Sequence, residues 1–195
     1  MPLITEDQLR KIARDAKGQR TASIVLKEEI AGSSSKTSFD IFLSHSIKDA
    51  EIVLGVKKLF EKLGATVYVD WVEDPQLDRS KVTAITAELL RMRMKQSNSL
   101  LFLHSNNSPG SRWMPWELGF FDGYRGVIAV LPVAKTENET FVGQEFLGLY
   151  PYIDGSPAVF WVNQGNALRS RLGSLEAGKN FKEAKSWLRD MAGMK

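Results

Sequence analysis

The 195-residue chain contains no cysteine, which excludes disulfides, thiolate nucleophiles and cysteine-based zinc sites together. It has two histidines, His45 and His104, too few for an imidazole metal centre, so no metal is expected. No apolar run approaches the ~20 residues that span a bilayer, and the first residues lack the apolar core of a signal peptide. Charge of one sign is not in excess either. The 26 Lys and Arg are interspersed with 23 Asp and Glu for a net +3, and despite a pI of about 9.1 there is no basic stripe to follow a nucleic-acid backbone. G-x-G-x-x-G and G-x-x-x-x-G-K-[ST] are both missing, which argues against Rossmann redox chemistry and a P-loop ATPase. What remains is the expectation of a soluble, cytoplasmic globular protein without nucleic-acid or membrane partners.

Two periodicities alternate along the chain. Thr5-Glu6-Asp7-Gln8 is a capping box followed by Leu9, Ile12, Ala13 and Ala16 at helical spacing, and Ile24 to Ile30 reads as a second short helix. Ala31 to Ser38 is a serine-rich linker. Residues 1–36 are therefore expected to form a helical N-terminal arm and linker outside the main fold, with 37–195 as the main domain; whether the arm packs on its own domain, a neighbouring subunit or a partner is open at this level. Phe39 to Leu43, Ala65 to Trp71, Ser99 to Leu103, Val127 to Leu131 and Ala158 to Val162 are apolar runs of strand length, suited to parallel strands buried on both faces. Helical patterns separate them: Ile52 to Leu63 stopped by Gly64, a helix capped by Ser80 with Val82, Ile85, Leu89 and Met92 inward, one starting near Ser111, and a short one at Phe141 to Tyr150. Ser174 to Met191 reads as a closing helix. The alternation predicts a doubly wound α/β fold on a parallel sheet.

The stretch Ser111-Arg112-Trp113-Met114-Pro115-Trp116-Glu117 concentrates aromatic rings around one carboxylate. Pro115 fits a helix only in its first turn, so the helix starts near Ser111, whose hydroxyl serves as N-cap. Trp113 and Glu117 are then i and i+4 on one face, and the helix N-terminus favours the ionised carboxylate. Taken alone, W-x-x-x-E reads first as an amphipathic helix with aromatic anchors and a solvated glutamate. With strand order 2-1-3-4-5 the topological switch point lies between the first and third strands, where ligands bind beyond the strand carboxyl ends. That order sets Ser44, His45 and Ser46 opposite His104 and Ser105, with Trp113 and Glu117 on the helix that follows. For either histidine alone, loop hydrogen bonding is the first reading.

Three boxes, in order, resemble a known family. Phe39-Asp40-Ile41-Phe42-Leu43-Ser44-His45-Ser46-Ile47-Lys48-Asp49 is similar to the opening strand motif of Toll/interleukin-1 receptor (TIR) domains. Val67-Tyr68-Val69-Asp70-Trp71 resembles that family's second strand leading into its BB loop, and Ser111 to Leu118 resembles its serine-tryptophan-glutamate box. The resemblance covers about residues 37–165. It implies a flavodoxin-like three-layer fold with a five-stranded parallel sheet, and one of two roles. One is cleavage of the nicotinamide–ribose bond of NAD, giving nicotinamide and ADP-ribose or a cyclic isomer, in bacterial antiphage defence. The other is a non-enzymatic adaptor or virulence protein that binds other TIR domains. It maps the catalytic glutamate onto Glu117, the substrate-lining positions after the first strand onto His45, Ser46 and Ile47, and the start of the loop onto Trp71. With the crevice argument, the candidates are Glu117 for catalysis and Ser44, His45, Ser46, Ile47, Asp70, Trp71, Ser105 and Trp113 for substrate binding. The resemblance also implies self-association through surfaces that include the 72–79 loop, and a downstream effector that reads a nucleotide product. Ser46 and Ile47 stand where some NAD-cleaving members carry basic residues, and the loop has Pro75 but no glycine.

The chemistry agrees with one carboxylate. Nicotinamide leaves cationic NAD as a neutral pyridine, so no general acid is needed, unlike ordinary glycoside cleavage with its paired carboxylates. One ionised group can hold the ribose hydroxyls and stabilise an oxocarbenium-like transition state. Aromatic faces such as Trp113 and Trp71 could stack on the nicotinamide cation for roughly 0.5–2 kcal/mol. NAD is thus expected as a consumed substrate and not a cofactor. A nucleoside 2-deoxyribosyltransferase-like enzyme, with a similar fold and a carboxylate nucleophile, is a further alternative.

Overall fold

The computed structural model describes residues 2–18, 20–22, 24–25, 37–70, 74, 82–136, 139–141, 145–156, 159–163, 181–183 and 186–187. Its sheet contains β1 (Ile4–Thr5), β2 (Phe39–Ser44), β3 (Val67–Tyr68), β4 (Ser97–His104), β5 (Ile128–Ala134), β6 (Tyr152–Ser156), β7 (Val159–Asn163) and β8 (Phe181–Glu183). The order is β3-β2-β4-β5-β6-β7-β8, with β1 beside β5. Among the described residues four α-helices accompany it: α1 (Glu6–Lys17), α2 (Ala50–Lys62), α3 (Ala84–Lys95) and α4 (Trp113–Tyr124). β3 is added on one side of β2 and β4 on the other, so the switch point expected from the alternation lies between β2 and β4.

Strand alternation builds the layers. In β2, Ile41 and Leu43 join the core cluster that contains Leu9 of α1 and Ile52 and Phe60 of α2, whereas Phe42 joins the cluster with Leu90 of α3 and Trp113, Leu118 and Phe121 of α4. In β4, Leu101 and Leu103 face the first cluster, and Leu100 and Phe102 the second. Both faces are covered, so these strands read as unbroken apolar runs. Register follows: Ile41 lies between Val67 and Ser99, and Leu101 pairs with Ala129. Each fully buried Ile, Leu or Phe in these layers contributes about 1.5–3 kcal/mol. Gly64 ends α2 with φ of +89°, a backbone state open to glycine without strain.

The N-terminal arm is part of this fold, which corrects the expectation that it lies outside. Thr5 does form the capping box with Gln8, but Ile4 and Thr5 also pair in parallel with Val133 and Ala134. Leu9 and Ala13 are fully buried against α2. A side chain at Gly55 would run into the Leu9 carbonyl, so glycine there is what lets the two helix axes approach. Most of Ile24 to Ile30 and Ala31 to Lys36 lie outside the described residues.

Three further readings change. The fifth parallel strand is β6, which pairs with β5 through Tyr152 and Val130. The run expected to fill that place is β7, antiparallel to β6 with Ile153 opposite Val162. Asp154-Gly155, a pair with turn chemistry, lies inside β6. Within the expected closing helix, Phe181–Glu183 is instead a strand antiparallel to β7; most of the remainder lies outside the described residues. Finally, α3 is capped by Thr83, which accepts from the Thr86 N–H at 3.1 Å, and it buries Thr86, Leu90 and Met94. Val82, Ile85 and Met92 are exposed. The sequence carries two apolar stripes about 100° apart on this helix, and periodicity alone does not choose between them. Phe141 to Tyr150 contains a short 3-10 helix at Glu145–Leu149. No helix among the described residues is long and apolar enough to cross a membrane.

Candidate active site

The site is assembled at the carboxyl end of β2, where the strand meets the first turns of α4. The chain approaches α4 through a 3-10 turn at Ser108–Gly110, and Ser111 Oγ accepts the Met114 N–H at 3.2 Å. This is the cap chemistry read from the sequence, with helical geometry beginning two residues later. One turn further on, Glu117 is fully buried. The hydroxyl of Ser44, the last residue of β2, donates to Glu117 Oε2 at 2.6 Å. A hydroxyl–carboxylate bond of that length is charge-assisted and holds one oxygen in place. The glutamate therefore does not lie on a solvated helix face.

His45 follows. Its Nδ1 lies 2.7 Å from the Leu43 carbonyl oxygen, which can only accept, so Nδ1 carries the proton and donates. That bond turns Nε2 toward Asp70, 3.4 Å from Oδ1, with both side chains almost wholly buried. Ser46 caps the short turn at Ile47–Asp49, its Oγ 3.4 Å from the Lys48 nitrogen. Ile47 is exposed and Trp113 is buried in the α3/α4-side core, edge-on to Trp116 at 5.4 Å between centroids. His45, Ser46, Ile47, Ser111, Arg112 and Trp113 all line one cavity of about 200 Å³. This is smaller than the roughly 300–1,000 Å³ of most small-molecule sites. Ser44, Glu117 and Asp70 are not among its lining residues; they are linked to it through the neighbouring His45 and the α4 turn. Trp71 and, apart from Asp74, the 72–79 loop lie outside the described residues.

His104 and Ser105 do not line that cavity, which departs from the expectation of one crevice holding both histidines. His104 opens on a separate cavity of about 560 Å³ beside Phe102, Pro115, Phe146 and Leu147, and burial lowers its pKa. Ser105 is turned into a hydrogen-bonded knot: its Oγ donates to Asp49 Oδ2 at 2.6 Å, and Asn107 Nδ2 donates to Asp49 Oδ1 at 2.6 Å. Asp49 thereby ties the loop after β2 to the loop after β4 and holds Asn107, which lines the cavity. Sequence reasoning missed Asp49; its only signal was an acidic residue three positions after Ser46, which reads as ordinary first-turn charge.

No family model matches the chain. Over 170 residues it is 42% identical to "Probable 3' cyclic ADP-D-ribose synthase ThsB'" of Bacillus cereus, an alignment that covers 87% of this chain and 85% of that protein. Over 86 residues it is 36% identical to a protein of Cytobacillus dafuensis named as a cyclic ADP-D-ribose synthase, TIR2, covering 44% of this chain and 23% of that protein.

Proposed function

This chain belongs to the bacterial TIR-domain family of cyclic ADP-ribose synthases, and from that premise we propose that it cleaves the nicotinamide–ribose bond of NAD and closes the released ADP-ribose into a cyclic isomer. The reading is supported above all by the buried Glu117 carboxylate, fixed by Ser44, whose chain neighbour His45 lines a cavity together with Trp113. The C1′–N bond breaks with its electron pair going to nicotinamide, which departs neutral. The ribosyl cation that develops is stabilised by Glu117, whose charge is screened less in a desolvated site than in water. An oxygen or nitrogen of the same ADP-ribose then bonds to C1′ and gives up its proton to solvent, if it carries one, so no water is consumed. Ser44 orients the carboxylate, while His45, Ser46, Ile47 and Trp113 form the wall that receives the dinucleotide. Asp70 positions the His45 ring, and Ser105 supports the cavity lining through Asp49 and Asn107. Trp71 is assigned to the substrate and the 72–79 loop to a neighbouring copy. NAD enters as substrate, and the product is a signal nucleotide read by an effector in cytoplasmic bacterial defence.

Self-association belongs to this reading. Val82, Ile85 and Met92 of the α3 segment are exposed, and Trp116, Phe120 and Tyr124 stack along α4 at 6.0 Å spacings, an apolar surface of the kind that marks interfaces. Purified protein incubated with NAD should release one nicotinamide per NAD consumed and yield a product lighter than ADP-ribose by one water, with activity per molecule rising with protein concentration. Intact NAD after prolonged incubation at high protein concentration would overturn the proposal.

A further inference from the structure

The acidic residue beside His45 is fastened from outside the site. The Asp74 N–H donates to the Asp70 carbonyl at 2.7 Å, tying Asp74 back to the end of β3. The Asp74 carboxylate is itself buried. Arg93 of α3 grips it with two bonds, Nε to Oδ2 and Nη2 to Oδ1, both 2.8 Å. Tyr68 Oη donates to Oδ2 at 2.7 Å. The guanidinium also lies over the Tyr68 ring, 5.7 Å from its centroid. Burial, with Asp70 and Asp74 close by, pushes the Tyr68 pKa well up, so that hydroxyl stays a donor. A forked guanidinium–carboxylate pair fixes direction as well as distance, which a lysine cannot do.

The other end of this assembly touches the site. Asp70 Oδ1 is 3.4 Å from His45 Nε2, and His45 directly follows Ser44, the donor to Glu117. Arg93 is not among the residues lining the cavity. We infer that Arg93, acting through Asp74, is a positioning residue for the active site: the fork sets Asp70, and Asp70 sets the His45 ring on the cavity wall. The catalytic part rests on the NAD-cleaving reading above; the geometric part does not.

A buried ion pair replaced on both sides by apolar residues of similar size often leaves a protein as stable as before. The double variant Arg93→Met/Asp74→Leu therefore separates positioning from mere support. With two histidines in the chain, the imidazole Cε1–H region of an NMR spectrum holds two signals, and His104→Gln assigns them. In the double variant we expect a melting temperature close to the parent's, a displaced His45 signal, an undisturbed His104 signal, and kcat/KM for NAD lower by about 10–100-fold, mostly in kcat. Arg93→Lys, which keeps charge without the fork, should fall between the two. Should the double variant not fold, the same readouts on Arg93→Lys decide. A His45 signal and kcat/KM both at parent values would overturn the inference, and so would a displaced His45 signal with unchanged kcat/KM. If the parent itself releases no nicotinamide, the functional reading fails while the His45 signal still tests the clamp.

Discussion

At the scale of single residues, the central fact is that Glu117 is buried and bonded. A solvated carboxylate would need no partner, whereas this one is held at 2.6 Å by Ser44. Hydrogen bonds to charged groups contribute about 1.5–3 kcal/mol, so Ser44→Ala should lower kcat by roughly 10–100-fold in a nicotinamide-release assay if the bond orients the carboxylate. A parent-like kcat would show that Ser44 only packs. His104 gives a pH prediction. Burial lowers its folded pKa from the ordinary 6.5, so below about that pH the unfolded chain takes up a proton that the folded chain resists. Its share of stability is present above pH 6.5 and is lost as pH falls toward the lower folded value. The drop in melting temperature between pH 7.5 and 5.5 should thus be smaller in His104→Gln; an equal drop in both proteins would assign acid sensitivity elsewhere. The candidate residues were legible as far as chain position goes: Ser44, His45, Ser46 and Glu117 were read from strand ends and one helix cap. The bond from Ser105 to Asp49 was not legible, because a sequence carries no rotamer.

At the scale of elements, the α1–α2 contact is a close approach of two backbones. Gly55 leaves room for the Leu9 carbonyl, and Gly55→Val would force the helices apart. Overpacking of that kind costs about 1–3 kcal/mol, to be read as a lower denaturant midpoint with an unchanged slope. An unchanged midpoint would mean that α1 detaches at little cost. This contact was invisible in the sequence because Gly55 sits within an otherwise regular helical pattern, where glycine reads only as a weak spot. Strands β2, β4 and β5 were legible because burial on both faces leaves a continuous apolar signature. The β6 strand was not: Asp154-Gly155 has turn chemistry, and only its pairing with Trp161 and Phe160 makes it a strand. For α3, two competing stripes left the choice to tertiary packing, which went to Leu90 and Met94 with Arg93 aimed at Asp74.

At the scale of the whole molecule, the sheet begins with residues that the linker composition seemed to detach. Ile4 and Thr5 extend the ladder of β5, the Gly155 N–H donates to the Pro2 carbonyl at 2.8 Å, and Arg10 bridges Glu51 at 2.8 Å. Surface ion pairs of this kind contribute less than about 1 kcal/mol; the buried Ile4, Leu9 and Ala13 carry the attachment. A protein starting at Lys36 should therefore lose cooperative thermal unfolding, and a truncated form melting like the full chain would show that the arm is dispensable. The fold in turn puts Glu117 against Ser44 at the end of β2, and the account stands on that group. Nicotinamide release from NAD by the parent and by Glu117→Gln, measured side by side with their melting temperatures, tests it most directly. The parent should turn over NAD, and Glu117→Gln should fall by roughly 10²–10³ in rate through loss of one preorganised electrostatic contact, with a melting temperature no lower than the parent's by more than a few degrees. A folded Glu117→Gln protein releasing nicotinamide at the parent rate would contradict the account.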